Sequence, residues 1–204
     1  MDIISYPLTP FMTNCYILRD AGEALLVDIG EVTPSVLAAI KGYTVKTVLN
    51  THCHIDHAGG NAEILRITGA ELVCHRDEVP LLQSLTQQGS MFGVEVEPSP
   101  EPDRYIDAGD SVRVGEATLA VRFAPGHSPG HIVLVGDGFV IGGDVLFQGS
   151  IGRTDIWGGD YDQLIDSIRT QMLTLPDETV VYSGHGPATT IGAERRSNPF
   201  LANL

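Results

Sequence analysis

The sequence predicts an α+β fold in which two β-layers carry helices on their outer faces. Three observations lead to this expectation. β-rich runs occur in both halves of the chain, helix-patterned segments separate them, and one further helix precedes the last strand. With 204 residues, 43% of them hydrophobic, the chain is long enough for one domain with a sizeable core.

Strands open the first half of the chain, at residues 2–7, 13–19 and 24–28. A helix is expected at residues 33–41, because Thr33 can cap its first turn and Pro34 suits the first helical position. The elements expected next are a strand at 45–49, a helix at 61–68 closed by Gly69, a strand at 71–74 and a helix at 78–87.

Residues 89–103 are predicted to form a long surface loop, because they hold three prolines and few core candidates. Loops of this length in compact domains often act as lids or binding loops. Strands follow at residues 104–106, 111–114, 117–124, 132–135 and 139–141. A helix at 161–173 and a strand at 179–182 complete the expected order.

The net charge of the chain argues against some classes of binding partner. The formal net charge is −14, from 12 basic and 26 acidic side chains. This argues against a nucleic-acid partner, because such binding depends on Lys and Arg that neutralise phosphates. The longest apolar runs are too short to span a membrane, and residues 1–7 lack the basic start and apolar stretch of a signal peptide. We therefore expect a cytoplasmic protein without a membrane partner, of unspecified oligomeric state.

The three cysteines, Cys15, Cys53 and Cys74, are odd in number and widely spaced. This pattern favours reduced thiols in the core or near a site over a disulfide framework. Cys53 lies between two histidines but alternates away from them if the segment is extended. We therefore expect it to pack rather than to bind a metal.

The most informative segment is Thr51-His52-Cys53-His54-Ile55-Asp56-His57-Ala58, with four metal-capable side chains within six positions. Farther along come His127, Asp144 and His185, each beside glycine. Every one of these candidates follows a predicted strand, and strand ends that converge on one edge can bring them together. Imidazole and carboxylate ligands suit Zn²⁺, Fe or Mn.

These seven residues resemble the ligand set of the metallo-β-lactamase superfamily in its two-metal form. The resemblance implies a four-layer αβ/βα sandwich that holds two divalent metal ions, zinc in the first place and iron or manganese as alternatives. It implies that His52, His54 and His127 hold one ion, that Asp56, His57 and His185 hold the other, and that Asp144 bridges both. Asp56 is also expected to position the attacking hydroxide. Familiar two-zinc β-lactamases typically show Cys at the position of Asp144, which argues against antibiotic hydrolysis.

Flanking segments resemble the glyoxalase II (hydroxyacylglutathione hydrolase) branch. They are Gly143-Asp144-Val145-Leu146-Phe147, Gly152-Arg153-Thr154-Asp155, Ser183-Gly184-His185-Gly186-Pro187 and Glu194-Arg195-Arg196-Ser197-Asn198-Pro199-Phe200. The resemblance implies hydrolysis of a thioester such as S-lactoylglutathione by a metal-bridging hydroxide. It also implies one domain over residues 1–204 without the helical C-terminal domain of two-domain members, so glutathione specificity rests on fewer contacts.

Two residues near the motifs, Arg153 and Asp28, each have two alternative roles. Arg153 is a candidate for binding a substrate carboxylate, or it forms a salt bridge to Asp155 or Asp160. Asp28 either orients a ligand histidine or is a plain turn residue. His131 is expected to support a ligand or brace a loop, and His75 to lie on the surface or pack. Trp157 and Phe147 are candidates to wall the pocket, with core packing the alternative for Phe147. Arg195 and Arg196 are weaker candidates for binding substrate, with plain solvation as the alternative.

Other functions remain open on the same residues. A persulfide dioxygenase would use one iron held by His52, His127 and Asp144, and the segment after Gly152 is similar in those enzymes. A lactonase or other ester hydrolase would use the same site. A non-catalytic metal-stabilised domain is a further alternative, and a nuclease is disfavoured by the acidic charge.

Overall fold

The structure is a computed structural model that describes residues 1–202. The described chain divides into two compact units. Unit 1 comprises Met1–Ile106 and Arg113–Thr118, and unit 2 comprises Asp107–Val112 together with the described residues from Leu119 onward. The expectation of one domain over the whole chain stays a prediction.

Unit 1, which lies within the described residues, contains a six-stranded sheet whose strands follow chain order. The strands are β1 (Asp2–Leu8), β2 (Thr13–Asp20), β3 (Glu23–Val27), β4 (Thr44–Leu49), β5 (Glu71–Cys74) and β6 (Arg104–Tyr105). Strands β1 to β3 pair antiparallel, whereas β3 to β6 pair parallel. The carboxyl ends of β3, β4 and β5 therefore meet at one edge of this sheet.

The helices of unit 1 are α1 (Pro34–Ile40), α2 (Ile55–Ala58), α3 (Asn61–Thr68), α4 (Val79–Gln83) and α5 (Leu85–Phe92), with a 3-10 turn at Arg76–Glu78. Of these, α1 and α3 match the helices predicted at 33–41 and 61–68 to within one residue at each end. The Thr33 hydroxyl accepts a hydrogen bond from the Val36 amide at 3.3 Å, which caps α1 as expected. Gly69 ends α3 with a left-handed φ of +67°, also as expected.

In the part of the chain that the structure describes, residues of unit 2 form most of a second six-stranded sheet. Its strands are β7 (Ser111–Val114), β8 (Ala117–Phe123), β9 (Ile132–Gly136), β10 (Phe139–Gly143), β13 (Val180–Ser183) and β14 (Thr189–Thr190), in the order β14-β13-β10-β9-β8-β7. β10 and β13 are parallel, and β9 is antiparallel to both of its neighbours β8 and β10. A small hairpin joins β11 (Leu146–Phe147) to β12 (Ser150–Ile151).

Helices of unit 2 lie toward the C-terminal part of the described chain. They are α6 (Tyr161–Ser167), continued by a π-helical turn at Ile168–Met172, and α7 (Ile191–Ser197), followed by a 3-10 turn at Pro199–Leu201. The Asp160 carboxylate caps α6 by accepting from the Gln163 amide at 3.0 Å. The helix predicted at residues 161–173 is therefore confirmed, although its last turn widens.

Each unit has its own apolar core. Ile17, Leu26, Val48 and Leu72 are fully buried in unit 1. The core of unit 2 includes the fully buried Val133, Val140, Leu164, Ile168 and Val181. Burial of one such side chain stabilises the fold by about 1.5–3 kcal/mol. These cores fix the strands that precede the candidate ligands.

The prediction of one helix at residues 78–87 is wrong in its bounds. Ser84 separates α4 from α5, and α5 continues to Phe92, so residues 89–92 are helical rather than part of the loop predicted at 89–103. The sequence suggested a break at Gly89, yet this glycine is buried. A Cβ there would lie 2.4 Å from the Val94 carbonyl oxygen, so glycine permits close packing inside the helix.

Several short elements were not predicted, namely α2, β11, β12, β14 and α7. Two-residue strands and a four-residue helix carry too little periodic signal to be recognised. Among residues 1–202, no helix is both long and apolar enough to cross a membrane.

Candidate metal centre

The candidate ligands of unit 1 lie on one segment that follows β4. Residues 50–54 form an irregular segment with bends at Thr51 and His52, and α2 begins directly after them at Ile55. His52 and His57 are fully buried, whereas His54 and Asp56 are partly exposed. The ring centroids of His52 and His54 are 4.8 Å apart, and those of His52 and His57 are 4.0 Å apart. The sequence motif thus folds into a compact cluster of imidazoles.

Asp28, at the end of β3, is the centre of a hydrogen-bond network that holds this segment. Its Oδ1 accepts from the Thr51 amide at 2.7 Å, and its Oδ2 accepts from the Thr51 hydroxyl at 2.7 Å. Oδ2 also lies 3.0 Å from Nδ1 of His57. One potential ligand atom each of Asp28, His52 and His57 lies within 4.8 Å of the others. Because both Asp28 oxygens already accept hydrogen bonds, we assign Asp28 an orienting role rather than ligation.

The network also assigns the imidazole tautomers. Nδ1 of His57 carries the proton that it donates to Asp28, so Nε2 carries the lone pair. Nδ1 of His52 lies 3.1 Å from the Thr51 oxygen. The Thr51 hydroxyl donates its proton to Asp28, so its oxygen accepts from His52. Both histidines therefore keep a lone pair on Nε2, the atom that could bind a metal ion.

Asp56 is fixed by a neighbour from β2. The Thr13 hydroxyl donates to Oδ2 of Asp56 at 2.6 Å, and Nε2 of His57 lies 3.5 Å from the same oxygen. The Asp56 side chain is 14% exposed, so solvent reaches it. The carboxylate is therefore held in place and also open to a small ligand.

The candidate ligands of unit 2 meet at one edge of its sheet. Strands β8, β10 and β13 run in the same direction, so their carboxyl ends share that edge. His127, Asp144 and His185 follow these three strands. Oδ2 of Asp144 lies 3.5 Å from Nε2 of His127 and 3.5 Å from Nε2 of His185. One carboxylate oxygen is thus equidistant from two imidazole nitrogens.

Neighbouring groups fix the orientation of His127 and Asp144. Nδ1 of His127 donates to the Arg153 carbonyl at 2.8 Å, which leaves the lone pair of the ring on Nε2. The amide of Asp144 donates to Nε2 of His131 at 3.0 Å. His131 therefore braces the loop of Asp144, as expected from the sequence.

The loop after β12 packs tightly against these two ligands. A Cβ at Gly152 would lie 1.9 Å from the Asp144 carbonyl oxygen and 3.2 Å from Nδ1 of His127. Only glycine fits at this close approach. Phe147 is half-buried and its ring meets that of His185 edge-on, with centroids 6.1 Å apart, which agrees better with a pocket wall than with packing in the core.

Arg153 forms the salt bridge that was one of its two predicted roles. Its guanidinium donates to both carboxylate oxygens of Asp155, at 2.7 and 2.9 Å, which lowers the pKa of the Asp155 carboxyl. Both side chains are exposed, at 63% and 74%. A role in binding substrate stays a prediction.

The other predicted residues fall into three groups. His75 is buried and accepts from the Asp77 amide, which agrees with a packing role. Trp157 is 63% exposed. Arg195 and Arg196 both pair with Asp177 rather than being merely solvated.

All three cysteines are buried thiols, as the sequence predicted. Burial is the main cause that raises the pKa of the Cys53 thiol well above its usual value, and a hydrogen bond with Cys74 raises it further. Burial likewise raises the pKa of Cys15. A thiolate at Cys53 is therefore disfavoured at neutral pH.

Two residues that hold the ligand segment of unit 1 were missed by the sequence analysis. Glu78 and Gln88 accept hydrogen bonds from the amides of Cys53 and Ile55. They bind backbone groups across 25 and 33 positions of sequence, so no local motif signals them.

The donor atoms within each unit fit a divalent metal ion. Ligands about 2.1 Å from a tetrahedral ion lie about 3.4 Å from one another. The separations of 3.5 Å from Asp56 to His57, and from Asp144 to His127 and His185, agree with that spacing. Imidazole nitrogens and carboxylate oxygens suit zinc, iron and manganese.

The comparisons with known families, proteins and structures agree with one another. The family model described as the metallo-beta-lactamase superfamily matches residues 8–185. A hydroxyacylglutathione hydrolase of Haemophilus influenzae, GloC, is 37% identical to this chain and is aligned over 98% of both chains.

Solved structures share the fold. The crystal structure of BLEG-1, a B3 metallo-β-lactamase, superposes with a TM-score of 0.92 and 35% identity, over 99% of this chain and 100% of that one. TTHA1623, solved in a di-iron-bound form, gives a TM-score of 0.89 and 34% identity, over 97% and 100%. The predicted metallo-β-lactamase fold is thereby confirmed.

Proposed function

The chain belongs to the metallo-β-lactamase superfamily, and we propose that it is a binuclear metallohydrolase that cleaves a thioester. S-lactoylglutathione or a related acylglutathione is the substrate we propose. The position of Asp144 supports this proposal most directly, because one carboxylate oxygen lies 3.5 Å from two imidazole Nε2 atoms. The 37% identity with a hydroxyacylglutathione hydrolase supports the choice of substrate.

The proposed ligands follow the pattern of the family. His52, His54 and His127 would hold one ion, Asp56, His57 and His185 would hold the other, and Asp144 would bridge both. Zinc is the first choice of metal. Iron is an alternative supported by the di-iron form of TTHA1623, and manganese suits the same donors.

The two ions would supply a nucleophilic water at neutral pH and polarise the thioester carbonyl. The residues of the chain orient the reacting groups. Thr13 holds Asp56 at 2.6 Å, so this carboxylate can accept a hydrogen bond from the attacking water. No protein nucleophile is required, and the buried Cys53, whose pKa is raised, is unsuited to be one.

Arg153 would bind a carboxylate of the thiol half of the substrate. Its bond to Asp155 would have to exchange for the substrate, and this exchange costs little because both side chains of the pair are exposed to solvent. Cytoplasmic location, a small-molecule substrate and the lack of a nucleic-acid partner stay predictions from composition.

A persulfide dioxygenase with one iron on His52, His127 and Asp144 is the second candidate, favoured by the iron in TTHA1623. A lactonase or other ester hydrolase would use the same ligands. β-Lactam hydrolysis is disfavoured by Asp144, yet BLEG-1 is 35% identical, so a β-lactam belongs among the substrates tested.

The test is the hydrolysis rate of S-lactoylglutathione by metal-loaded protein, with His54→Ala and, as a matched control, His75→Ala. We expect turnover that falls roughly 100-fold or more in His54→Ala, because even supporting partners of a ligand are worth 10–100-fold. The His75 variant should keep its turnover per folded protein.

Other outcomes select among the candidates. Oxygen consumption with glutathione persulfide, without thioester cleavage, would replace the proposal by the dioxygenase. Cleavage of a lactone or a β-lactam alone would replace the thioester. Full thioester turnover in His54→Ala would refute the proposed metal site.

A further inference from the structure

The backbone of the ligand segment in unit 1 is anchored at every second residue. Three consecutive odd-numbered amides each donate to a side chain from another part of the unit. The bonds run from Thr51 to Asp28, from Cys53 to Glu78 and from Ile55 to Gln88, at 2.7, 2.7 and 2.9 Å.

His52 and His54, two of the candidate ligands, lie between these anchors, and Asp56 follows the last of them. His54 has an extended backbone, with φ −69° and ψ 153°. In an extended segment, neighbouring side chains point to opposite sides. The amide anchors and the ligand side chains therefore alternate, and each anchor acts directly beside a ligand.

Glu78 is the anchor with the strongest structural constraint. Its side chain is fully buried, at the end of the 3-10 turn that follows β5. Its Oε2 accepts from the amide of Cys53, the residue between His52 and His54. A buried carboxylate bonded to a backbone N–H is a strong, charge-assisted contact.

Gln88, which lies on α5, binds the same segment two residues farther along the chain. Its Oε1 accepts from the Ile55 amide, which is the first of α2 and therefore has no partner within that helix. Its Nε2 donates to the Leu81 carbonyl at 2.9 Å and the Ser84 hydroxyl at 3.1 Å, so the amide group is locked in one orientation.

We propose that Glu78 and Gln88 are positioning residues that set the spacing of His52 and His54 for metal binding. The proposal rests on the metal-binding part of the proposed function. His54 has no side-chain cap that would hold the start of α2, so this backbone depends on its flanking amides. Loss of either acceptor leaves an amide without its partner and lets the ligand backbone shift.

The first test measures the apparent Kd of zinc, by chelator competition, in Glu78→Ala and Glu78→Gln, together with the absorption spectrum of bound cobalt. Supporting partners of ligands are worth 10–100-fold in affinity, so Glu78→Ala should bind at least about tenfold more weakly, with an altered spectrum. The glutamine keeps an acceptor for Cys53 and should restore affinity to within about threefold.

Asp103→Ala is the matched control. The Asp103 carboxylate accepts from the Leu72 amide at 2.8 Å, which is the same kind of bond on a strand that carries no ligand. This variant should lose some stability and keep the wild-type Kd and cobalt spectrum. A merely structural role for Glu78 would produce that same result in Glu78→Ala, and would overturn the proposal.

Gln88 gives a second test, since its half-buried side chain makes loss of folding a lesser risk. Gln88→Ala should also weaken zinc binding about tenfold, while Gln83→Ala on the neighbouring α4, whose side chain is exposed, should not. Wild-type affinity in folded Gln88→Ala would refute the role of Gln88.

If Glu78→Gln binds zinc as weakly as Glu78→Ala, positioning through the hydrogen bond to Cys53 is refuted.

Neither test uses a substrate. A wild-type protein that binds zinc but leaves thioesters intact would refute the proposed function while these affinities still decide the roles of Glu78 and Gln88. A wild-type protein that binds no divalent ion would overturn both.

Discussion

The carboxylate of Asp28 lies 3.0 Å from Nδ1 of His57, although the two residues are 29 positions apart. Both side chains are buried, and Asp28 has a left-handed φ of +58°, a conformation that favours glycine. Such a backbone costs on the order of 1–3 kcal/mol and persists only where the surroundings impose it. The bonds from Thr51 and His57 are the interactions that hold Asp28 in this conformation.

Asp28→Ala should therefore lower metal affinity more than a loss of packing explains. Without the acceptor, the His57 ring can rotate or change tautomer. We therefore expect the apparent Kd for the ion that His57 would hold to rise 10–100-fold. Metal titration of the folded variant checks this. Asp20→Ala, which removes a half-buried carboxylate at the far end of β2 that accepts from the Glu116 amide at 2.8 Å, is the control and should keep the wild-type affinity.

Asp144→Ala should abolish retention of the second ion and turnover together. Its carboxylate oxygen Oδ2 lies 3.5 Å from Nε2 of both His127 and His185. Metal content after gel filtration should fall from about two ions per chain toward one. Asp166→Ala, an exposed acid on α6, should change neither quantity. Full activity of Asp144→Ala would contradict the bridging assignment.

The positions of the candidate ligands could be predicted from the sequence, whereas the groups that support them largely could not. His52, His127, Asp144 and His185 could be placed because each follows an apolar run that forms a buried strand. The role of Asp28 could be narrowed only to two alternatives, because a contact across 29 positions depends on how β3 and β4 pair.

Glu78 and Gln88 could not be found from sequence, for a physical reason. They bind backbone amides, and a backbone amide has no residue identity that a pattern could reveal. Their positions also depend on the break between α4 and α5 at Ser84, which the single predicted helix lacked. The roles of Glu78 and Gln88 and the break at Ser84 depend on tertiary contacts, whereas the strands could be predicted from the periodicity of apolar residues.

The three thiols should be protected in the folded protein. Cys15, Cys53 and Cys74 are all fully buried, and burial raises the pKa of Cys15 and Cys53. A thiol reagent should therefore react slowly in native buffer and with three thiols per chain in denaturant. Fast reaction of even one thiol at neutral pH would show that its surroundings open more readily than the packing indicates.

Glu71 should make a small contribution to stability that disappears in acid. A hydrogen bond from Arg104 at 3.0 Å is the main cause that lowers the pKa of the Glu71 carboxyl, and Thr47 lowers it further. A carboxyl whose folded pKa is lowered stabilises the fold above its ordinary pKa, and this is lost as pH falls through the folded pKa. Both side chains are about two-fifths exposed, so we expect about 0.5 kcal/mol.

Denaturant unfolding of wild type and Glu71→Gln at about pH 7 and about pH 3 measures this contribution. The difference in free energy of unfolding between the two proteins should shrink in acid. Glu178→Gln, at an exposed position before β13, is the control and should show no such trend. An equal difference at both pH values would contradict the assigned cause.

Gly152→Ala should disturb the centre without removing any ligand. The new methyl group would meet the Asp144 carbonyl oxygen at 1.9 Å, so either the loop after β12 or the backbone of Asp144 must move. Overpacking of this kind costs about 1–3 kcal/mol, and it should weaken retention of the ion that Asp144 binds.

Gly138→Ala is the matched control, because its methyl group meets open space and only the φ of +76° is strained. It should lose about 1 kcal/mol of stability and keep wild-type metal content. A Gly152→Ala protein with wild-type metal affinity would show that the loop yields instead of Asp144.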